Sequence, residues 1–218
     1  MIDNQRDETR RTMIYRLIRR TRKESLTSMR AEDMAKCMDV SKVTMYKYFS
    51  SKEDILASVI SNFKDYLRNE DIFSFHQDDS VIDRYQKTFE QSLMINFYFP
   101  EHFFEDFKNN HPPLYEEIVD AQHFRFIQLE ELYRLGSEKG IFHPVNAAIF
   151  VLDDQLILRR ILDPSFLIRH NLLLQSALMD YYNMQKRKLL KDKYLHSLDD
   201  SPIEETVRFF VTKNSRYL

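Results

Sequence analysis

Glycine is nearly absent from this chain. Gly136 and Gly140 are its two glycines among 218 residues, where average usage of about 7% would give about fifteen. Phosphate-cradling loops need clustered glycines so that the backbone can approach the ligand, and these two form neither a dinucleotide-binding motif nor a P-loop. Parallel α/β folds use glycine freely in their turns, so the scarcity favours an all-α chain. One cysteine, Cys37, rules out an intrachain disulfide and a cysteine-cluster zinc site, which fits a reducing compartment. Tryptophan is missing and prolines number six, as suits long helices packed on Phe, Tyr and Met. No apolar run approaches the ~18 residues of a membrane span, and the first residues hold no signal-peptide core. A soluble, cytoplasmic protein without membrane association is expected. The 43% of hydrophobic residues supply a real core and argue against global disorder.

The net charge of −2 conceals an asymmetry. Residues 1–52 carry 13 Lys/Arg against 7 Asp/Glu, a balance of +6, and the rest carry 19 against 27, a balance of −8. A basic head on an acidic body suits a protein whose head meets a polyanion. The plainer reading is a solvated helix surface, since Lys and Arg lie mostly outside in any case. Charge alone makes nucleic acid a candidate.

The apolar pattern is helical along the whole chain. Met13, Ile14, Leu17 and Ile18 form one stripe of a first helix over residues 7–23, with Arg10, Arg11, Arg16, Arg19, Arg20, Arg22 and Lys23 on its remaining surface. Ala31, Met34, Ala35 and Met38 mark a short second helix that stops at Asp39, a residue tolerant of the left-handed conformation. Ser41 is an N-cap for a third helix through residue 49, with Val40, Met45 and Phe49 inward. Ser51 and Asp54 have capping-box spacing for a fourth helix over residues 52–69. Further helices are expected at 81–99, at 100–108 with Pro100 in the first turn, at 114–139 ended by Gly140, at 146–162, and as one long helix over 166–195. Residues 76–80 read as a polar break with a capping serine. Residues 197–202 read as a linker to a short, frayed C-terminal segment. There is no strand alternation, internal repeat or heptad run.

Three short helices in the first 50 residues, the last two joined by a tight turn, describe a helix-turn-helix unit. Ala35 supplies the small residue of its first helix and Val40 the apolar residue after the turn. Met45 and Phe49 give its second helix a packed face, while Lys42, Val43, Thr44, Tyr46, Lys47 and Tyr48 point elsewhere, as a major-groove reader requires. Lys52 follows at a helix N-terminus, where ammonium and backbone N–H groups can meet one phosphate.

The stretch from Ala31 to Leu56 resembles the DNA-binding domain of the TetR family of transcriptional regulators. That family's pattern runs from Ile-Ala through Gly-Val-Ser and Thr-Leu-Tyr-x-Tyr-Phe to Ser-Lys-Glu. Here it reads Met34-Ala35, Asp39-Val40-Ser41, Thr44-Met45-Tyr46-Lys47-Tyr48-Phe49 and Ser51-Lys52-Glu53. The match covers residues 10–60. The turn glycine is replaced by Asp39, the glycine after the first helix by Ser25, and a threonine near the second helix by Met29-Arg30, so Arg30 takes over a phosphate position. The resemblance implies that Thr44, Tyr46 and Tyr48 donate hydroxyl bonds to phosphates and that Lys52 binds a phosphate. It places Lys42, Val43 and Lys47 toward base edges, where lysine suits guanine and valine a thymine methyl. The alternative for Tyr46 and Tyr48 is that both are half-buried aromatics with no DNA role.

For the remainder the resemblance implies a division of labour. Residues 1–50 would form the DNA-binding domain, and residues 51–218 a helical domain for effector binding and homodimerisation. The helices at 146–162 and 166–190 would pair with their copies, and Asp153, Asp154, Arg159 and Arg160 could set the register by paired charges. Aromatics crowd the middle helices. Phe89, Phe97, Phe103, Phe107, His123 and Phe126 are candidates for lining an effector pocket suited to an apolar or aromatic ligand, and ordinary core is the plainer reading of the same spacing. Phe124 and His102 lie among them.

Catalytic and metal chemistry find little footing. His102, Glu105 and Asp106 could share a helix face, but the spacing arises easily in so charged a sequence, and Asp120-x-x-His123 has no second copy. No serine sits in a nucleophile elbow and Cys37 belongs to a core helix. No cofactor or metal is expected. Together with the helical pattern, the resemblance implies an all-α, two-domain, homodimeric regulator on a palindromic double-stranded operator, a repressor released by a small-molecule effector. A DNA-associated protein with no effector response and a helical small-molecule-binding enzyme are the rivals.

Overall fold

The computed structural model describes residues 2–20, 24–68, 80–195 and 198–214, with side chains from residue 5 onward. Among these residues the regular structure is helical, with one isolated bridge between Phe142 and Leu190. The helices, in chain order, are α1 (Ile2–Ile18), α2 (Ala31–Met38), α3 (Lys42–Tyr48), α4 (Lys52–Leu67), α5 (Val81–Tyr98), α6 (Glu101–Asn110), α7 (Pro112–Glu138), α8 (Ala147–Ile161), α9 (Pro164–Arg169), α10 (Leu174–Leu189), α11 (Asp192–Leu195) and α12 (Ser201–Asn214). The chain divides into two compact units. One is Met1–Asn69 with Phe97–Phe124, the other Glu70–Asn96 with Arg125–Leu218. No helix among the described residues is long and apolar enough to cross a membrane.

In the first unit α1 packs on α2 and α4, and α2 packs on α3. The stripe Met13, Ile14, Leu17 and Ile18 is buried, as are Met34, Ala35, Met38, Met45 and Phe49. Phe63 of α4 packs against Phe99, 4.7 Å between centroids, and Phe104, 5.9 Å. In the second unit α10 packs on α8 and α12. Its Tyr182 meets Phe89 of α5 edge-on at 5.0 Å and stacks on Tyr85 at 6.2 Å.

Helix starts follow their side chains. Ser41 accepts from Thr44 N at 3.0 Å, Ser51 from Asp54 N at 3.1 Å, Ser80 from Asp83 N at 3.1 Å and Asn146 from Ile149 N at 3.2 Å. Each satisfies one of the orphan N–H groups of a first turn. Pro100 is itself the residue before α6, extended at φ −68 and ψ 169, rather than inside its first turn.

Three helices end in the same left-handed closure. After α2 the left-handed residue is Asp39 (φ 62), after α7 Gly140 (φ 69), and after α9 Asn171 (φ 52). In each case the next N–H reaches five residues back: Val40 to Ala35 at 3.0 Å, Ile141 to Gly136 at 2.9 Å and Leu172 to Leu167 at 2.9 Å. These are Schellman closures, which satisfy orphan carbonyls and admit Gly, Asn or Asp most readily. Among the described residues, two of the three such positions are thus filled by Asp and Asn.

Several boundaries differ from expectation. Helix α1 begins at Ile2 and ends at Ile18 instead of spanning 7–23. Its polar first half is held by Arg6 and Arg10, which bond to α3, and Arg20 N closes a turn on Leu17 O at 2.9 Å. Residues 21–23 and 76–79, on which earlier expectations fell, lie outside the described residues. The single helix expected over 166–195 is three helices. Asn171 closes α9, and Leu190 leaves α10 in extended geometry, where His143 N bonds Leu189 O at 2.7 Å and Lys191 N bonds Ile141 O at 3.0 Å. The C-terminal segment, expected to be short and frayed, is a regular helix over its described residues Ser201–Asn214. Helix α12 has 14 residues and buries Ile203, Val207 and Phe210.

The four charges expected to pair across a two-fold axis are engaged within the chain. Asp153 accepts from Lys188 at 2.8 Å, Asp154 from the Tyr181 hydroxyl at 2.7 Å, Arg159 donates to Asn96 at 3.2 Å and Arg160 to Asp163 at 3.0 Å. Asp154 is half-buried as a residue, with its carboxyl turned to buried Tyr181 and Gln185. Burial pushes this carboxyl above the ordinary aspartate value, and the bonds from Tyr181 and Gln185 offset only part of that. The amide oxygen of Gln185 and the hydroxyl of Tyr85 are buried without a hydrogen-bond partner among the described residues.

Two expectations test this packing. A Cβ on Gly136 would fall 2.0 Å from Cδ2 of the buried Phe142 ring, so Gly136→Ala should destabilise the protein by about 1–3 kcal/mol through overpacking, read as a lower midpoint in chemical denaturation. An acid with a raised folded pKa binds more protons folded than unfolded, so stability falls as pH rises through that value. Asp154→Asn removes this slope. Its stability advantage over the wild type should grow from acid to neutral pH in urea melts, and a pH-independent difference would show that the carboxyl titrates normally.

Candidate nucleic-acid interface

Helix α3 is seven residues long, too short to persist in water without support. Its support comes from three sides. Ser41 caps its start, and Met45 and Phe49 plug it into the core at 0% and 1% exposure. At its end α1 supplies the cap. Arg6 donates to Lys47 O at 3.1 Å and Arg10 to Tyr48 O at 2.8 Å. Arg10 also bonds Asp54 Oδ1 at 3.0 Å and Ser58 Oγ at 3.1 Å, and its guanidinium lies 4.7 Å from the Phe49 ring centroid. Cations suit a helix C-terminus because the last carbonyls are unpaired. Arg16 does the same for α2, bonding Met38 O at 3.0 Å.

With one face fixed inward, the opposite face of α3 is presented to solvent. Lys42, Val43, Tyr46 and Lys47 are exposed, Val43 at 71% and Tyr46 at 39%, while Thr44 and Tyr48 are half-buried on the flanks. Arg30 is exposed beside the start of α2. Lys52 opens α4, half-buried, with its ammonium donating to Thr27 O at 2.5 Å. The eight residues singled out for DNA contact therefore all lie in the first unit, six of them on α3.

Electrostatics modify this face in a way the sequence did not suggest. Lys42 is bonded to Glu32 of α2 at 2.6 Å. That bond lowers the Glu32 carboxyl below its usual value and raises the Lys42 ammonium above its own. The pair is exposed, so a phosphate can compete for the lysine. The sequence also assigned Arg10 and Arg16 to the open surface of α1, whereas both bond the ends of the helix-turn-helix pair. No local pattern announces this, because the partners are 38 and 22 residues away.

The six candidate pocket residues are divided between the two units. Phe103 and Phe107 are in contact, 4.8 Å between centroids, and belong with Phe97 and His123 to the first unit. Phe97, Phe103 and Phe107 are buried and His123 is exposed. Phe89 is buried against Tyr182 in the second unit, and Phe126, also in that unit, lines an open groove of about 690 Å³ with Ile127, Tyr133 and Val145. The described residues hold no cluster of three or more His, Cys, Asp or Glu side chains able to bind a metal.

The geometry defines an all-α protein with a helix-turn-helix unit. No family model and no curated protein matches the sequence. Solved structures match the fold over most of the chain. A protein from Saccharomonospora viridis described as a transcriptional regulator, in complex with choline, is 14% identical with a TM-score of 0.64, covering 85% of this chain and 99% of its own. A protein from Rhodococcus sp. assigned to the TetR family is 10% identical with a TM-score of 0.58, covering 82% and 97%. AibR, in complex with isovaleryl coenzyme A and operator DNA, is 16% identical with a TM-score of 0.55, covering 81% and 97%. The chain has the fold of the TetR-family transcriptional regulators.

The Glu32–Lys42 pair makes a direct prediction. If α3 docks on double-stranded DNA, Glu32→Ala should tighten that binding several-fold, because Lys42 is freed from its carboxylate partner to reach the groove. Fluorescence anisotropy reads the affinity, and an unchanged value would mean that Lys42 makes no contact.

Proposed function

We propose that the protein is a homodimeric, DNA-binding transcriptional regulator of the TetR type, a cytoplasmic repressor released from a palindromic operator by a small molecule. The observation that carries this reading is the orientation of α3. Its apolar side is locked inward by Met45 and Phe49, and Lys42, Val43, Tyr46 and Lys47 face out together. On such a face Lys42, Val43 and Lys47 read base edges in a major groove, while Thr44, Tyr46, Tyr48, Arg30 and Lys52 suit phosphates and set the register. In this reading the DNA-binding domain of residues 1–50, joined by Lys52 at the start of α4, carries the DNA contacts, and residues 51–218 carry effector response and dimerisation.

Dimerisation is supported by an apolar stripe in the second unit. Ile149, Leu152 and Leu156 of α8 are 65%, 49% and 57% exposed at helical spacing, and Leu173 and Met184 beside and on α10 are also exposed. Exposed apolar groups so arranged favour burial against a copy. Effector response is supported by the neighbours of the same fold, one solved with choline and one with isovaleryl coenzyme A and operator DNA. A ligand acts by favouring a state in which the two heads no longer match half-sites about 34–36 Å apart. Lacking a recognisable catalytic set, the protein is read as a regulator and not an enzyme.

The test is selection of double-stranded DNA from a random pool. A palindrome should be enriched, and a Tyr46→Phe, Lys52→Ala double variant that stays folded should lose it. Leu156→Arg should yield a monomer in analytical ultracentrifugation and weaken binding to the full palindrome by at least tenfold. Absence of DNA binding at low salt, persisting after refolding from denaturant to strip any ligand, would overturn the proposal.

A further inference from the structure

The turn between α1 and α2 is held by a carboxylate 79 residues further along the chain. Asp106 of α6 is 9% exposed. It accepts from Ser25 Oγ at 2.7 Å, Thr27 N at 2.9 Å, Thr27 Oγ1 at 2.5 Å and Asn110 Nδ2 at 3.0 Å. Burial alone would raise this carboxyl, and the four bonds reverse the direction, holding it below the ordinary aspartate value. Leu26 and Met29, buried at 1% and 6%, anchor the same turn in the core.

Thr27 is thus gripped twice by Asp106, through N–H and hydroxyl, and its carbonyl points to another partner. That carbonyl accepts the ammonium of Lys52 at 2.5 Å. A lysine side chain loses rotamer freedom when it is fixed. Here the loss is taken in the free protein, before any phosphate arrives, which preorganises the group. An ammonium has three donors, so the bond to Thr27 leaves two for a phosphate. Asp106 itself lies on α6, which carries none of the residues assigned to DNA.

We propose that Asp106 is a positioning residue for DNA binding: by fixing Thr27 it sets the place from which Lys52 meets a phosphate. This rests on the DNA-binding reading above, and it adds a residue of α6 to the machinery of that reading. The turn acts as a two-sided clamp, with a carboxylate on one side and an ammonium on the other. Releasing the first partner frees the second.

The experiment compares the full-length wild type, Asp106→Asn, Lys52→Ala and the double variant. The Asn side chain brings its own N–H donors to the Thr27 N–H and hydroxyl and so opposes the clamp. Binding to random-sequence duplex DNA is titrated at stepped salt, because the slope counts phosphate contacts per bound molecule. Lys52→Ala should flatten the slope by about 0.9 per head, Asp106→Asn should flatten it to a similar extent, and the double variant should lose no more. A purely structural role would lower the melting temperature and the active fraction while leaving the slope intact. Additive losses, or an unchanged slope in Asp106→Asn, would overturn the proposal. A second readout needs no DNA. Acylation of Lys52, followed by mass spectrometry, should be several-fold faster in Asp106→Asn than in the wild type, and equal rates would overturn the positioning. If the wild type binds no DNA, the regulator reading falls while the acylation rates still decide whether Asp106 holds Lys52. Should Asp106→Asn not fold, Thr27→Val removes one of the four bonds and should raise the Lys52 acylation rate by a smaller factor, with no change again overturning the proposal.

Discussion

A seven-residue helix at the surface cannot hold its own shape, and α3 depends on the arginines of α1 to do so. Arg10 joins four partners: the Tyr48 carbonyl, the Asp54 carboxylate, the Ser58 hydroxyl and the Phe49 ring. It therefore ties α1, α3 and α4 at one point. Arg6 and Arg16 add bonds to the ends of α3 and α2. The rigidity of the presented face follows from this, since Lys42, Val43, Tyr46 and Lys47 are useful for recognition only if their helix keeps one orientation. Part of the positive charge of the head thus serves the fold itself, and the charge available to DNA is smaller than the balance of +6 over residues 1–52 implies.

Two carboxylates show how the same group is given opposite character by its neighbours. Asp106 meets four donors and is held below the ordinary value, whereas Asp154 meets fewer and is pushed above it. The difference is the number of hydrogen bonds set against the loss of solvent. The first stiffens a turn in the head. The second lies in a polar cluster with Tyr181 and Gln185 whose donors and acceptors are not fully matched, as the unpartnered Gln185 Oε1 and Tyr85 hydroxyl show. Buried clusters of that kind are sensitive to protonation because each lost partner is felt at low dielectric.

Local chemistry made much of the architecture legible. Ser41, Ser51, Ser80 and Asn146 act at the helix starts where their spacing placed them. Asp39 takes the left-handed position that ends α2, and the inward set Met45 and Phe49 is buried. Asn171 was passed over because helical periodicity on both sides of it outweighed a single turn-prone residue, and α10 was carried past Leu190 for the same reason. Among the candidate pocket aromatics Phe103 belongs to the first unit and Phe89 and Phe126 to the second, a division that periodicity does not carry, since spacing defines a face of a helix and not the neighbour of that face.

By itself the sequence determined the helix-turn-helix, its caps and the side of α3 that faces outward. These depend on residues within a few positions of one another, where backbone geometry alone fixes who is near whom. Tertiary structure decided the rest: that Arg10 and Arg16 close helices instead of facing solvent, that Glu32 engages Lys42, and that Asp106 reaches Thr27 across 79 residues. Long-range hydrogen bonds of this kind leave no periodic trace. An arginine or aspartate written in a polar stretch has the same local pattern whether water or a distant carbonyl receives it, and only folding brings the partner within reach.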